Sequence, residues 1–126
     1  MDWPSGRLEI VVIDNASTDG SVDGLAASHP GVRLVRNSSN TGFGANNLAL
    51  ADLDGVDQVG LVNPDVVIEP TWLRELSRVL VADPGLGAAC PKILLDEVGE
   101  SRIQNAGSRI DLSGNSHDRG YGESDG

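Results

Sequence analysis

Three short apolar runs set the terms on which this chain can fold. LEIVVID (residues 8–14), GVRLVRN (31–37) and DQVGLVN (57–63) are rich in Val, Ile and Leu, and each closes on Asp or Asn. A continuous run of this kind reads as a strand buried on both faces, the pattern of a parallel sheet covered by helices. Helical patterns follow each run: a modest one in SVDGLAASH (21–29), weakened by Gly24, a short one in ANNLALADL (45–53), and a stronger one in EPTWLRELSRVLVADPG (69–85). In the last, Trp72, Leu73, Leu76, Val79 and Leu80 form an apolar stripe at helical spacing, Pro70 stands where a first turn tolerates it, and Asp83-Pro84-Gly85 stops the helix. A fourth strand is expected in LGAACPKIL (86–94). Strand alternating with helix builds right-handed βαβ units, so the expected fold class is α/β with a mostly parallel sheet.

In such sheets ligands bind outside the carboxyl ends of the strands. The polar clusters of this sequence fall there: Asp14-Asn15 after the first run, Asn37 to Gly44 after the second, and Asn63-Pro64-Asp65 after the third. Pro64 has no N–H to give to a ladder, so it ends the third strand abruptly and holds up Asp65 in the turn. Carboxylates, amides and glycines converging on one edge suit a phosphorylated ligand held by polar side chains, N–H groups and a hard cation. Mg²⁺ or Mn²⁺ takes one or two protein carboxylates and completes its shell with water and phosphate oxygens. On spacing alone Asp65 is open to two roles, a metal ligand or an aspartate that caps its own turn. Gly42 and Gly44 are equally open to a ligand-loop role or a plain turn role.

Composition narrows the partners. A chain of 126 residues has room for one compact domain. The net charge of −10, with nine Lys and Arg that form no cluster, excludes nucleic acid as a partner, because a phosphate backbone needs a basic footprint. Cys90 is the only cysteine. No internal disulfide can form, a reduced compartment fits, and a small core residue in the fourth strand is the expected role. No run approaches the roughly 20 apolar residues of a membrane span, and no secretory signal is visible, so a cytoplasmic location is expected. His29, before Pro30, is read as a surface cap at a helix end, and His117 as part of a loose tail. From residue 96 the sequence turns rich in Gly, Ser and Asp and reads as an irregular excursion, its two SRI repeats suggesting one brief hairpin. Neither DNASTDGSVDG nor DLSGNSHDRGYGE places oxygen ligands and the turn glycine at the spacing of an EF-hand calcium loop.

VVIDNASTDGS (11–21), NTGFGANNLAL (40–50) and LVNPDVVIEPTWL (61–73), in this order and separation, resemble the family 2 inverting glycosyltransferases of the GT-A fold, especially the rhamnosyltransferase-like branch. The resemblance covers about residues 8–95, and IQNAGSRID and DRGYGESD further on are similar to the same branch. It implies a GT-A, Rossmann-like nucleotide-diphospho-sugar transferase fold, a three-layer sandwich that is here incomplete. Residues 1–95 would be the donor-binding core without the family's usual first strand and helix, and 96–126 an irregular segment leading toward an acceptor-binding half that is missing. The open sheet edge invites dimerisation.

The same resemblance assigns roles. Asp14 and Asn15 match the pair that contacts the nucleoside, and Asn40, Gly42, Phe43, Ala45 and Asn47 match the second nucleotide loop. Asn63 and Asp65 match the strand-ending motif that holds the metal and diphosphate, with Asp65 the residue on the Mg²⁺ or Mn²⁺. The implied reaction is transfer of a sugar, with inversion, from a UDP- or dTDP-sugar to a glycan or lipid-linked acceptor in cell-surface polysaccharide biosynthesis, by an enzyme working at the inner face of the membrane through peripheral association. The family's general base lies in an acidic motif expected beyond residue 126, so no catalytic residue is assigned. The competing expectation is a catalytically inactive fragment that only binds nucleotide diphosphate.

Overall fold

The computed structural model describes residues 1–51, 53–95 and 101–125, and Asp52, residues 96–100 at the start of the expected irregular excursion, and Gly126 lie outside that description. It divides into two compact units, Trp3–Asn63 and the chain from Pro64 onward together with Met1–Asp2.

In the first unit the first apolar run forms strand β1 (Ile10–Asp14) and the second forms β2 (Val32–Arg36). They pair in parallel, in a register that sets Ile10 opposite Val32 and Asp14 opposite Arg36. The Asn37 amide donates to the Asp14 carbonyl at 2.8 Å, carrying the pairing one residue past the strand end. Helix α1 (Leu25–Ser28) is one turn long, because Gly24 before it takes the left-handed conformation at φ 77° and limits the helix at its start. After β2 comes a 3₁₀ turn (Gly42–Asn46), which runs into the single-turn helix α2 (Asn47–Leu50). Ala45, 5 % exposed, and Asp14, 4 % exposed, are the most deeply buried described side chains.

The third expected strand does not form. Residues 57–63 carry no ladder, and Val59, Leu61 and Val62 stay exposed. A parallel strand is stable only when both faces are covered, and an apolar run left open to water gains little from pairing. Parallel pairing among the described residues is therefore the β1–β2 pair, not a four-stranded layer.

In the second unit, Pro64–Asp65 form the expected turn, and helix α3 (Trp72–Ala82) follows. Pro70 lies ahead of the helix rather than in its first turn, and the Trp72 amide donates to the Glu69 carbonyl at 3.0 Å. Trp72, Leu73, Leu76 and Leu80 are half-buried along one stripe, whereas Val79 is exposed. Asp83 ends the helix and its side chain accepts from the Gly85 amide at 2.9 Å.

The fourth expected strand shrinks to β3 (Ile93–Leu95), and Cys90 ahead of it is exposed rather than a core residue. β3 pairs antiparallel with β4 (Arg102–Asn105), while β5 (Ser108–Ile110) pairs antiparallel with β6 (Ser116–Asp118). The stretch read as irregular is thus hydrogen-bonded along most of its described length. The two SRI repeats fall in β4 and β5, which take different partners, so they do not form the single hairpin expected of them. His117 is not in a loose tail: its Nε2 meets Asp111 Oδ2 at 2.8 Å within β6.

Candidate functional site

β1 and β2 run parallel in matched register, so the loops that leave them start side by side at the carboxyl edge. What joins those loops is the side chain of Asn15. Its amide nitrogen donates to Asn40 Oδ1 at 2.9 Å and to the Gly42 carbonyl at 3.1 Å. Its amide oxygen accepts from Asn37 Nδ2 and from the Thr41 backbone, each at 3.1 Å. Both donors and both lone pairs of the amide are used within the protein. Asn40 closes the ring by accepting the Gly42 amide at 2.9 Å, and Gly42 itself needs the left-handed region at φ 64°.

Asp14 lies beneath this network. Oδ1 accepts the Ser17 amide at 2.9 Å, and Oδ2 meets Arg36 Nη1 at 3.2 Å, across the pair set by the register. The Ser17 amide, helped by the Ser17 hydroxyl and then by Arg36, lowers the Asp14 pKa against the opposing effect of desolvation. A carboxylate so held stays ionised. Between Asp14 and Ser17 the chain passes through Ala16 at φ 62°, a strained conformation for a residue with a Cβ.

Phe43 stands 73 % exposed at the start of the 3₁₀ turn, and Asn47 is exposed at the start of α2 with its amide side chain free of any partner among the described residues. The structure thus draws Asp14, Asn15, Asn40 and Gly42 into one construction and sets Phe43 and Asn47 on the segment it anchors. Asn63 is exposed at the end of the first unit. Asp65, in the second, is exposed on its turn, its carboxylate without a hydrogen bond or ion pair among the described residues. Sequence reasoning missed Arg36, and it named Asn37 and Thr41 only within the Asn37 to Gly44 cluster, without a role for either. Run length alone does not find Arg36: the runs 8–14 and 31–37 aligned end to end would set Asp14 opposite Asn37, whereas the observed register sets it opposite Arg36.

No three His, Cys, Asp or Glu side chains among the described residues gather into a cation cage. A lone exposed carboxylate such as Asp65 suits a cation that brings phosphate oxygens with it, not one held by protein alone. A separate depression of about 470 Å³ lies at the other, amino end of β1 and β2, walled by Leu8, Ile10, Pro30 and Val32. Its apolar lining offers little to a phosphate.

The carboxyl edge of a parallel pair, where these two loops are stitched together, is the place at which α/β domains bind their ligands. The sequence matches the family model for glycosyl transferase family 2 over residues 2–122, and the chain belongs to that family. Membership implies the GT-A type of nucleotide-sugar transferase fold, a nucleotide-sugar donor and an acceptor. Neither the comparison with curated proteins nor that with solved structures gave a match. No helix among the described residues is long and apolar enough to cross a membrane.

Proposed function

We propose that this chain holds the donor of an inverting sugar transfer, a UDP- or dTDP-sugar, at the carboxyl edge of β1 and β2. The observation that carries the reading is the Asn15 network, which fixes the first two family motifs to each other. Asp14 and Asn15 act from below: they shape the loop, and Asn15 has no hydrogen-bonding capacity left for a ligand. The ligand contacts then fall to the groups above them. Phe43, exposed and rigidly anchored, offers an apolar face to the base. Asn40 and Asn47 offer amide groups to base or ribose, and the Gly42 backbone allows close approach.

On the sequence resemblance alone, Asp65, with Asn63 before it in sequence, is the residue for Mg²⁺ or Mn²⁺ on a donor diphosphate, where the cation would offset charge on the leaving nucleoside diphosphate. Sequence resemblance supports a rhamnosyltransferase-like enzyme of cell-surface polysaccharide assembly, with a glycan or lipid-linked acceptor. An in-line displacement also requires a base at the acceptor hydroxyl.

Calorimetric titration of the full chain with UDP and with dTDP, each with and without Mn²⁺, tests the reading. Metal-dependent binding is expected, weakened at least about tenfold by Asp65→Ala, the loss of one charge-assisted contact. Because Asp65 is exposed and unpaired, thermal stability should not change. No binding by the unaltered chain, or full binding by Asp65→Ala, would remove the donor-site assignment.

A further inference from the structure

In a chain with nineteen Asp and Glu against nine Lys and Arg, an unpaired cation is uncommon. Arg7, Arg33, Arg36, Arg74, Arg78 and Lys92 each pair with a carboxylate. Arg102 is also engaged, reaching the Gly122 carbonyl. The two guanidiniums without a hydrogen-bond or ion-pair partner among the described residues, those of Arg109 and Arg119, line the same groove of about 510 Å³. Asp118, Tyr121 and Glu123 complete its polar wall.

The groove is built on a fixed backbone. The Arg119 amide donates to the Gly107 carbonyl at 2.8 Å, and its carbonyl accepts from Ala106 at 2.9 Å. Past Arg119 the chain turns, with the Glu123 amide donating to the Gly120 carbonyl at 2.9 Å, and Ile103 pins the turn through bonds to Gly122 and Glu123 at 2.8 and 2.9 Å. Gly120 is required at that bend: its φ is 76°, and a Cβ there would come within 3.2 Å of Ile103 Cγ2. Asp118 is held by Asn105 Nδ2 at 2.6 Å and Ser108 at 3.3 Å. The Glu123 carboxylate and the Tyr121 hydroxyl have no partner among the described residues, and Tyr121 is 67 % exposed.

We infer that this groove binds an acidic sugar, one carrying a phosphate or carboxylate group. Two planar guanidinium forks, left without carboxylates of their own, suit an oxyanion, which each can grip through paired N–H donors. Tyr121 supplies an apolar face with a polar tip for a sugar ring, and Glu123 an acceptor for its hydroxyls. A bare anion would leave that acceptor and that face unused. Within the transferase reading, on which this assignment of role rests, such a ligand is the acceptor, and the second unit contributes to acceptor recognition.

The test is a titration of the isotopically labelled full chain, followed by NMR at the Arg109 and Arg119 Nε–H groups and the Gly120–Gly122 amides. Glucose 1-phosphate, glucuronate, inorganic phosphate and methyl glucoside are the probes, the first two separating phosphate from carboxylate as the source of the charge. Perturbation by glucose 1-phosphate or glucuronate is expected at concentrations where inorganic phosphate and methyl glucoside give little. Arg109→Ala and Arg119→Ala should each weaken it about tenfold or more, and Tyr121→Ala about tenfold, with Tyr121→Phe close to the unaltered chain.

Equal response to inorganic phosphate, equal response to methyl glucoside, or no response to either acidic sugar would overturn the inference. UDP binding is measured on the same samples. Its loss from the unaltered chain would count against the donor reading alone, whereas UDP shifting the groove signals in place of the acidic sugars would overturn the acceptor assignment.

Discussion

At the scale of single residues, Asn15 and Ala16 differ in what they contribute. Asn15 makes four hydrogen bonds that no other side chain in the loop could supply together, because they need two donors and an acceptor with both lone pairs free. Asn15→Ala should destabilise the chain by about 2 kcal/mol, several modest bonds less some replacement by water, and should also weaken nucleotide binding by freeing the 37–42 loop. Denaturant unfolding with and without UDP separates the two effects. Asn15→Asp keeps the oxygen but not the donors, and should recover only part of the stability. Ala16 contributes strain instead. At φ 62° its Cβ costs about 1–2 kcal/mol, which glycine would relieve at an entropic cost of about 0.5–1 kcal/mol. Ala16→Gly should therefore raise the unfolding free energy by up to about 1.5 kcal/mol, read from the denaturation midpoint.

At the scale of elements, hydrogen bonding separates what the chain has organised from what it has not. The amides of Ile103, Ala106, Arg119 and Gly122 all donate to backbone carbonyls, while the run at 57–63 has no ladder. Native-state hydrogen exchange should find the former on the order of a hundredfold slower than Val59 and Leu61. A reversed order would mean that the third run pairs after all. The contrast also marks how far elements could be read in advance. β1, β2 and α3 were legible because apolar periodicity and local stop signals decide them, and the loops bearing Asn15 and Asn40 follow directly from the two strand ends. The third and fourth strands were not, since an apolar run shows the capacity to pair but not whether a covering layer is present. β5 and β6 were hidden for the opposite reason. Ser108 to Asp118 is polar and glycine-bearing, and its hairpin depends on Asp111, whose Oδ1 gathers the amides of Ser113 and Asn115 and the Ser113 hydroxyl, contacts that composition does not reveal.

At the scale of the whole molecule, acid acts on this chain in two opposed ways. With a net charge of −10, protonating carboxylates relieves self-repulsion and favours the folded state. Three aspartates work against that. The Ser17 amide lowers the pKa of Asp14, the Ser21 amide that of Asp19, and the Ser113 hydroxyl, followed by His117 and the Asn115 amide, that of Asp111. A carboxylate depressed in the fold adds stability at pH values above its unfolded pKa of about 3.9, and that stability is lost as pH falls through the lower folded value. The melting temperature should therefore hold or rise on acidification to about pH 4.5, then fall steeply below about pH 4. Salt tells the two contributions apart: added NaCl screens repulsion between exposed charges but leaves short hydrogen bonds largely intact. The rise should vanish at high salt while the acid limb remains. Asp111→Asn keeps the side-chain oxygen and removes the titration, so its acid limb should be shallower than that of the unaltered chain in both salt conditions. Identical limbs would show that the hairpin aspartate does not couple protonation to folding.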